Sequence, residues 1–95
     1  MSEQNRTIRH EAEQNRYVLE VDGQEAGFAS YVPSEGVRDF DHTVVDPAFR
    51  GQGLSSPLIK FALDDTREQN LKIRPSCSAV EHFLNKNEDY RDLAV

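Results

Sequence analysis

Hydrophobic and polar positions alternate through the first half of the chain and fall into a helical rhythm in the second. Tyr17-Val18-Leu19-Glu20-Val21 is rich in β-forming residues, Asp22-Gly23 is a two-residue hairpin signal, and Gln24 to Val32 resumes with Phe28, Tyr31 and Val32. This pattern predicts a β-hairpin. Pro33-Ser34-Glu35-Gly36 supplies turn chemistry. Val37 to Val45 then alternates Val37, Asp39, Asp41, Thr43 and Val45 against Arg38, Phe40, His42 and Val44, a third strand that Asp46-Pro47 ends. Residues 1–15 hold only Ile8 and Ala12 as apolar positions after the first Met, and read as a lead-in, poorly ordered or at an edge, that carries little function.

From Gly53 to Gln69 the period changes. Leu54, Leu58, Phe61 and Ala62 fall at i, i+4, i+7 and i+8, with Ile59 and Leu63 widening the stripe, which predicts the main helix. Pro57 lacks an N–H and clashes with the carbonyl four residues back, so it belongs in the first turn and the helix begins near Gln52 or Gly53. Leu71 to Pro75 reads as a strand, and a strand-helix-strand run of this length makes the two strands parallel neighbours through a right-handed crossover. A last helix is expected over Ala79 to Lys86, with Val80, Phe83 and Leu84 apolar. The order β-β-β-α-β-α gives an α+β fold with an antiparallel first half, one parallel strand pair and two main helices. At 95 residues the chain forms a single domain, 1–95.

Composition narrows the function. Apolar residues make up 37 % and charged ones 29 %, enough for a lean core. No stretch nears the roughly 20 apolar residues of a membrane span, and MSEQNRTIRH has no apolar export region, so a cytoplasmic protein without a membrane partner is expected. The single cysteine, Cys77, excludes an intramolecular disulfide, and the scattered His10, His42 and His82 offer no zinc spacing, so no metal is expected. A net charge of −6 has the wrong sign for a nucleic-acid binder. The charge is uneven, however, because residues 47–75 carry five cations against three acids in an otherwise acidic chain.

Within that basic stretch, Arg50-Gly51-Gln52-Gly53-Leu54-Ser55 sets two glycines just ahead of the helix, where backbone N–H groups without intrahelical partners meet the positive end of the dipole. The pattern builds an anion cradle, or a turn that sterics alone demand. It is not a Walker A loop, which needs GK[ST], nor a dinucleotide fingerprint, which needs a third glycine where Ser56 stands. Cys77 stands just past the second parallel strand and before a helix, where a helix N-terminus lowers a thiol pKa. Asp64-Asp65 and the Asp39/Asp41 pair read as solvated faces, and His10 and His82 as surface residues.

From His42 to the C-terminus the sequence resembles the GCN5-related N-acetyltransferase (GNAT) superfamily, and in particular its minimal YjdJ-type members. The superfamily signature [QR]-x-x-G-x-[GA] falls on Arg50, Gly53 and Ser55, with Ser in place of the usual Gly or Ala; further pieces fall on His42-Thr43, Gly51-Gln52-Gly53, Pro75-x-Cys77 and Tyr90-Arg91-Asp92-Leu93. The resemblance implies a minimal GNAT-like fold that uses acetyl-CoA. Its pyrophosphate would lie on the cradle of Arg50, Gly51, Gln52, Gly53, Leu54 and Ser55, and its pantetheine arm between two splayed parallel strands, the third strand and Leu71 to Pro75. N–H groups near Val44 and Val45 would stabilise the oxyanion. Cys77 would be either a nucleophile that relays the acetyl group or a wall of the channel. His42, with an ordinary pKa near 6.5, would serve as base in the same cleft or simply pack on its strand. Tyr90 and Leu93 are expected to anchor the C-terminal segment on the sheet.

The function expected is an acetyl-CoA-dependent N-acetyltransferase acting on a small-molecule or protein amine; the alternative is a non-catalytic acyl-CoA-binding or sensing module, which has no use for Cys77 or His42. A monomer or weak homodimer is expected.

Overall fold

Asp22 and Gly23 both take positive φ, 51° and 83°, which reverses the chain in two residues and sets Val21 opposite Gln24. In the computed structural model, which describes residues 5–49 and 53–95, this hairpin joins β2 (Arg16–Val21) to β3 (Gln24–Ser34). After Glu35-Gly36 the chain returns as β4 (Val37–Val45), with the boundaries that alternation predicts. Ahead of β2 lies β1 (Arg6–Glu11), an ordered edge strand paired antiparallel with Ile8 opposite Leu19 and His10 opposite Tyr17. The lead-in expected there is therefore structured. Its polar residues are held by partners distant in sequence or across the turn: Arg9 pairs with Glu11 and Glu20, and Arg16 with Glu11.

The main helix, α1, runs Ser55–Glu68 with Pro57 as its third residue, where a missing N–H costs nothing. Leu58, Ile59, Ala62 and Leu63 are buried, as the stripe predicts, whereas Phe61, also expected in it, stays 40 % exposed with its ring edge-on to Tyr17. Asn70 enters the left-handed region at φ 61°, and the Leu71 N–H donates back to the Thr66 carbonyl at 3.1 Å, which stops the helix. Then follow β5 (Lys72–Pro75), α2 (Ser78–Lys86) and a 3-10 turn, Glu88–Leu93. The five strands lie in the order β1-β2-β3-β4-β5, and only β4 and β5 are parallel. The fold is thus the expected α+β architecture with one additional strand at its edge.

Register assigns the faces. Leu19 and Tyr17 of β2, Tyr31 of β3, Arg38 and Phe40 of β4 and Ile73 of β5 share one face, and these residues join the apolar stripes of α1 and α2 in a single buried cluster, Arg38 lying at its polar edge. The opposite face carries Val18, Phe28, Val32 and Val44, the last two 53 % and 42 % exposed. Between the strands β3 and β4 the register shifts: Tyr31 faces Phe40 but Ser30 faces His42, leaving Asp41 as an extra residue. This bulge reverses the alternation expected along β4. Arg38, Phe40, Thr43 and Val45 turn toward the helices, whereas Asp39, His42 and Val44 turn to the open face.

A polar network ties the sheet to α1. The buried Arg38 guanidinium donates to the Tyr17 hydroxyl at 2.6 Å, to Thr66 Oγ1 at 3.1 Å and to Gln69 Oε1 at 2.8 Å, and lies 4.8 Å from the Tyr31 ring centroid. Tyr17 donates onward to Asp65 Oδ2 at 2.5 Å. Burial and the bond to Asp65 push the Tyr17 phenol well above its ordinary pKa, so it remains a donor at neutral pH. His10 stacks on Tyr17 at 4.2 Å and shares a 2.6 Å hydrogen bond with the Tyr31 hydroxyl, so it is not a surface residue. Asp64 and Asp65 are not merely solvated either, because Asp64 accepts from the Tyr90 hydroxyl at 2.7 Å and Asp65 from Tyr17. Leu93 is buried and Ala94 bridges to Ile73 of β5, which anchors the C-terminal segment, but Tyr90 packs edge-on against Phe83 of α2 and bonds to Asp64 of α1 rather than to the sheet.

Candidate active site

The strands β4 and β5 pair over four rungs only, from Val37 opposite Lys72 to Phe40 opposite Pro75. Beyond Pro75 the chain leaves the sheet, and the Cys77 N–H donates to the Phe40 carbonyl at 2.8 Å, while β4 continues to Val45. The edge of β4 past Phe40 therefore flanks a cleft with Cys77 at its apex. Cys77 is the residue before α2, and its thiol lies 3.5 Å from Thr43 Oγ1, to which it donates. Burial raises the thiol pKa, but this is outweighed by the Thr43 hydroxyl and by the N–H groups of Ala79, Val80 and Thr43, all of which favour the thiolate. The net shift is downward.

Thr43 supplies both a hydroxyl and an N–H to this position, and it is a site residue that the alternation of β4 does not reveal. The signal available was the His42-Thr43 pair, of which the bulge brings only the second to the cleft. His42 lies on the opposite face, 69 % exposed, with Nδ1 3.4 Å from Asp41 Oδ1. Its expected approach to Cys77 is corrected by the one-residue slip at Asp41. Val44 and Val45 also divide. A Cβ built on Gly27 would meet the Val44 carbonyl oxygen at 2.5 Å, so that carbonyl is turned to β3, and only glycine admits so close a strand. Successive residues of a strand turn their backbone groups to opposite sides, so the N–H groups directed at the cleft are those of Thr43 and Val45.

The anion cradle is described in part. Arg50, Gly51 and Gln52 lie outside the described residues. Gly53 sits at φ 66°, a conformation that glycine adopts without strain, and hands the chain to Leu54, whose side chain is buried. No side chain caps α1, and no acid stands in its first turn. The positive end of the helix is left open. Between this turn and α2 is a cavity of about 240 Å³ lined by Ser55, Ser56, Ile59, His82, Phe83 and Lys86 among others. Among the described residues, no group of His, Cys, Asp and Glu gathers as a metal site would, and no helix is long and apolar enough to cross a membrane.

A parallel strand pair that parts beside a thiol, with an uncapped helix after a glycine turn next to it, is an arrangement suited to an acyltransferase. The profile of the GCN5-related N-acetyl-transferase family matches residues 16–93, and the chain belongs to that family. The curated protein NATD1 of Xenopus tropicalis is 28 % identical over 83 residues, covering 84 % of this chain and 75 % of that protein, and human NATD1 is 26 % identical over 82 residues. Among solved structures, a GCN5-like protein of Staphylococcus aureus superposes with a TM-score of 0.72 at 28 % identity, covering 94 % of this chain and 87 % of its own. The ribosomal-protein-S18-alanine N-acetyltransferase of Escherichia coli shares the fold, with a TM-score of 0.63 at 21 % identity over 75 % of this chain and 49 % of its own.

Proposed function

We propose that this chain is an acetyl-CoA-dependent N-acetyltransferase that receives the acetyl thioester in the cleft between β4 and β5. The observation that carries the reading is the placement of a thiolate-favouring Cys77 at the apex of that cleft, beside strand N–H groups that face inward. Acetyl-CoA would supply the activated acetyl group. Gly53, Leu54 and Ser55, with the preceding Arg50, Gly51 and Gln52, would hold its phosphates through backbone donors and the open end of α1. The N–H groups of Thr43 and Val45 would bind the thioester oxygen and the negative charge that develops on it. Cys77 favours a covalent route over a passive wall: its thiolate attacks the thioester carbonyl, the CoA thiolate leaves, and the acceptor amine then displaces Cys77 and loses a proton to solvent. His42, exposed on the other face, has no part in this step.

Calorimetric titration of acetyl-CoA into the wild type, and intact mass after mixing, test the reading. Binding that weakens in Arg50→Ala, and an added acetyl group that vanishes in Cys77→Ala, are expected. A folded wild type that binds no acetyl-CoA would overturn the assignment.

A further inference from the structure

The cavity between the first turn of α1 and α2 has a volume of about 240 Å³. Pockets that enclose a whole drug-sized ligand run to roughly 300–1,000 Å³, so this one takes one end of a larger molecule. Its floor is apolar, made by the buried Ile59 and Phe83. Its rim is basic and hydroxylic, with His82 and Lys86 on α2 and Ser55 and Ser56 on α1. Among the described residues no Asp or Glu lines it, although the chain has 17 acids against 11 Lys and Arg; the cavity beside His10, by contrast, carries Glu11 and Glu13. The side chains of His82 and Lys86 are exposed and make no hydrogen bond or ion pair with any described residue.

The two basic residues stand one turn apart on α2, so they share a face. Lys86 ends the helix that Cys77 precedes, and nine residues at about 1.5 Å each carry it about 13 Å from the thiol. Because Ser55 and Ser56 line the same cavity, this far end of α2 is also the end that meets the start of α1. In coenzyme A the adenosine is joined directly to the pyrophosphate, and its ribose carries a 3′-phosphate. Resting on the acetyltransferase reading above, we infer that the cavity receives this adenosine 3′-phosphate end, and that Lys86, with His82 beside it, distinguishes acetyl-CoA from its 3′-dephospho form. The floor of Ile59 and Phe83 covers part of the nucleoside, the Ser55 and Ser56 hydroxyls donate to phosphate oxygens, and the Lys86 ammonium supplies the opposing charge.

The test is calorimetric titration of acetyl-CoA and of acetyl-3′-dephospho-CoA into the wild type, Lys86→Ala and Lys86→Arg, with thermal midpoints measured on the same samples. Lys86 is exposed, so both variants should melt with the wild type. The wild type is expected to bind acetyl-CoA about tenfold more tightly than the dephospho form, the scale of a hydrogen bond between charged groups. In Lys86→Ala that preference should fall to about twofold through weaker binding of acetyl-CoA alone, and in Lys86→Arg most of it should remain. Added salt should shrink the wild-type preference, because the cation is open to solvent. Equal wild-type affinity for the two ligands, an unchanged preference in Lys86→Ala, or an equal loss on both ligands would overturn the inference. A folded wild type that binds neither ligand would instead overturn the function on which it rests.

Discussion

Replacing Tyr17 by Phe removes one oxygen from the network that fixes β4 against α1. The hydroxyl accepts from Arg38 at 2.6 Å and donates to Asp65 at 2.5 Å, and both partners are charged. Hydrogen bonds to charged groups contribute roughly 1.5–3 kcal/mol each, but the variant keeps part of this. Arg38 retains Thr66 and Gln69, Asp65 retains Gln69 Nε2 at 2.8 Å, and the guanidinium, already 3.7 Å from Asp65, can close on it. The ring itself keeps its stacking on His10. A net loss of about 2 kcal/mol follows. For a domain of this size that lowers the thermal midpoint by about 10 °C. Urea unfolding should show a lower midpoint at an unchanged slope, because the surface exposed on unfolding is the same. A fall below about 3 °C would refute the view that this hydroxyl joins two charges, since a solvent-competed phenol is worth no more.

Other outcomes follow from the site. Cys77 should react with iodoacetamide along a pH profile centred below that of a free thiol, and Thr43→Val should move the profile upward. The sign for stability is set by a folded thiol pKa below the unfolded one: the added stability is complete above the unfolded pKa and is lost as pH falls through the folded value. Gly27→Ala forces β3 away from the Val44 carbonyl, costing about 1–3 kcal/mol by chemical denaturation and weakening acetyl-CoA binding through the displaced Val45 N–H. His42→Ala should leave the alkylation profile of Cys77 unchanged, and a shift would contradict its placement on the far face.

Local rules made most of the architecture readable. Asp22-Gly23, Pro57 and the stripe through Leu58, Ala62 and Leu63 each determine geometry within a few residues, so the hairpin, the main helix and the strand from Val37 to Val45 were legible, although the helix starts at Ser55 rather than near Gln52 or Gly53. The edge strand was not, because Arg9 is held there by Glu20 of β2, a partner eleven residues away that no short window contains. The bulge was hidden for a related reason. Alternation across Phe40, Asp41, His42 and Thr43 reads the same with or without an extra residue, and only pairing with β3 decides it. That one slip exchanged His42 for Thr43 at Cys77.

The short parallel pairing of β4 with β5 also orders events in time. The hairpins from β1 to β4 join neighbours in sequence, whereas Phe40 meets Pro75 only after the whole of α1 has been looped between them. Closing that loop costs chain entropy before any rung rewards it, so the thiol and its cleft assemble late in folding. Four rungs hold β5 to β4 and a bridge from Ile73 to Ala94 holds its other edge, so this end can open, on a slower clock than side-chain motion, without unfolding the antiparallel sheet.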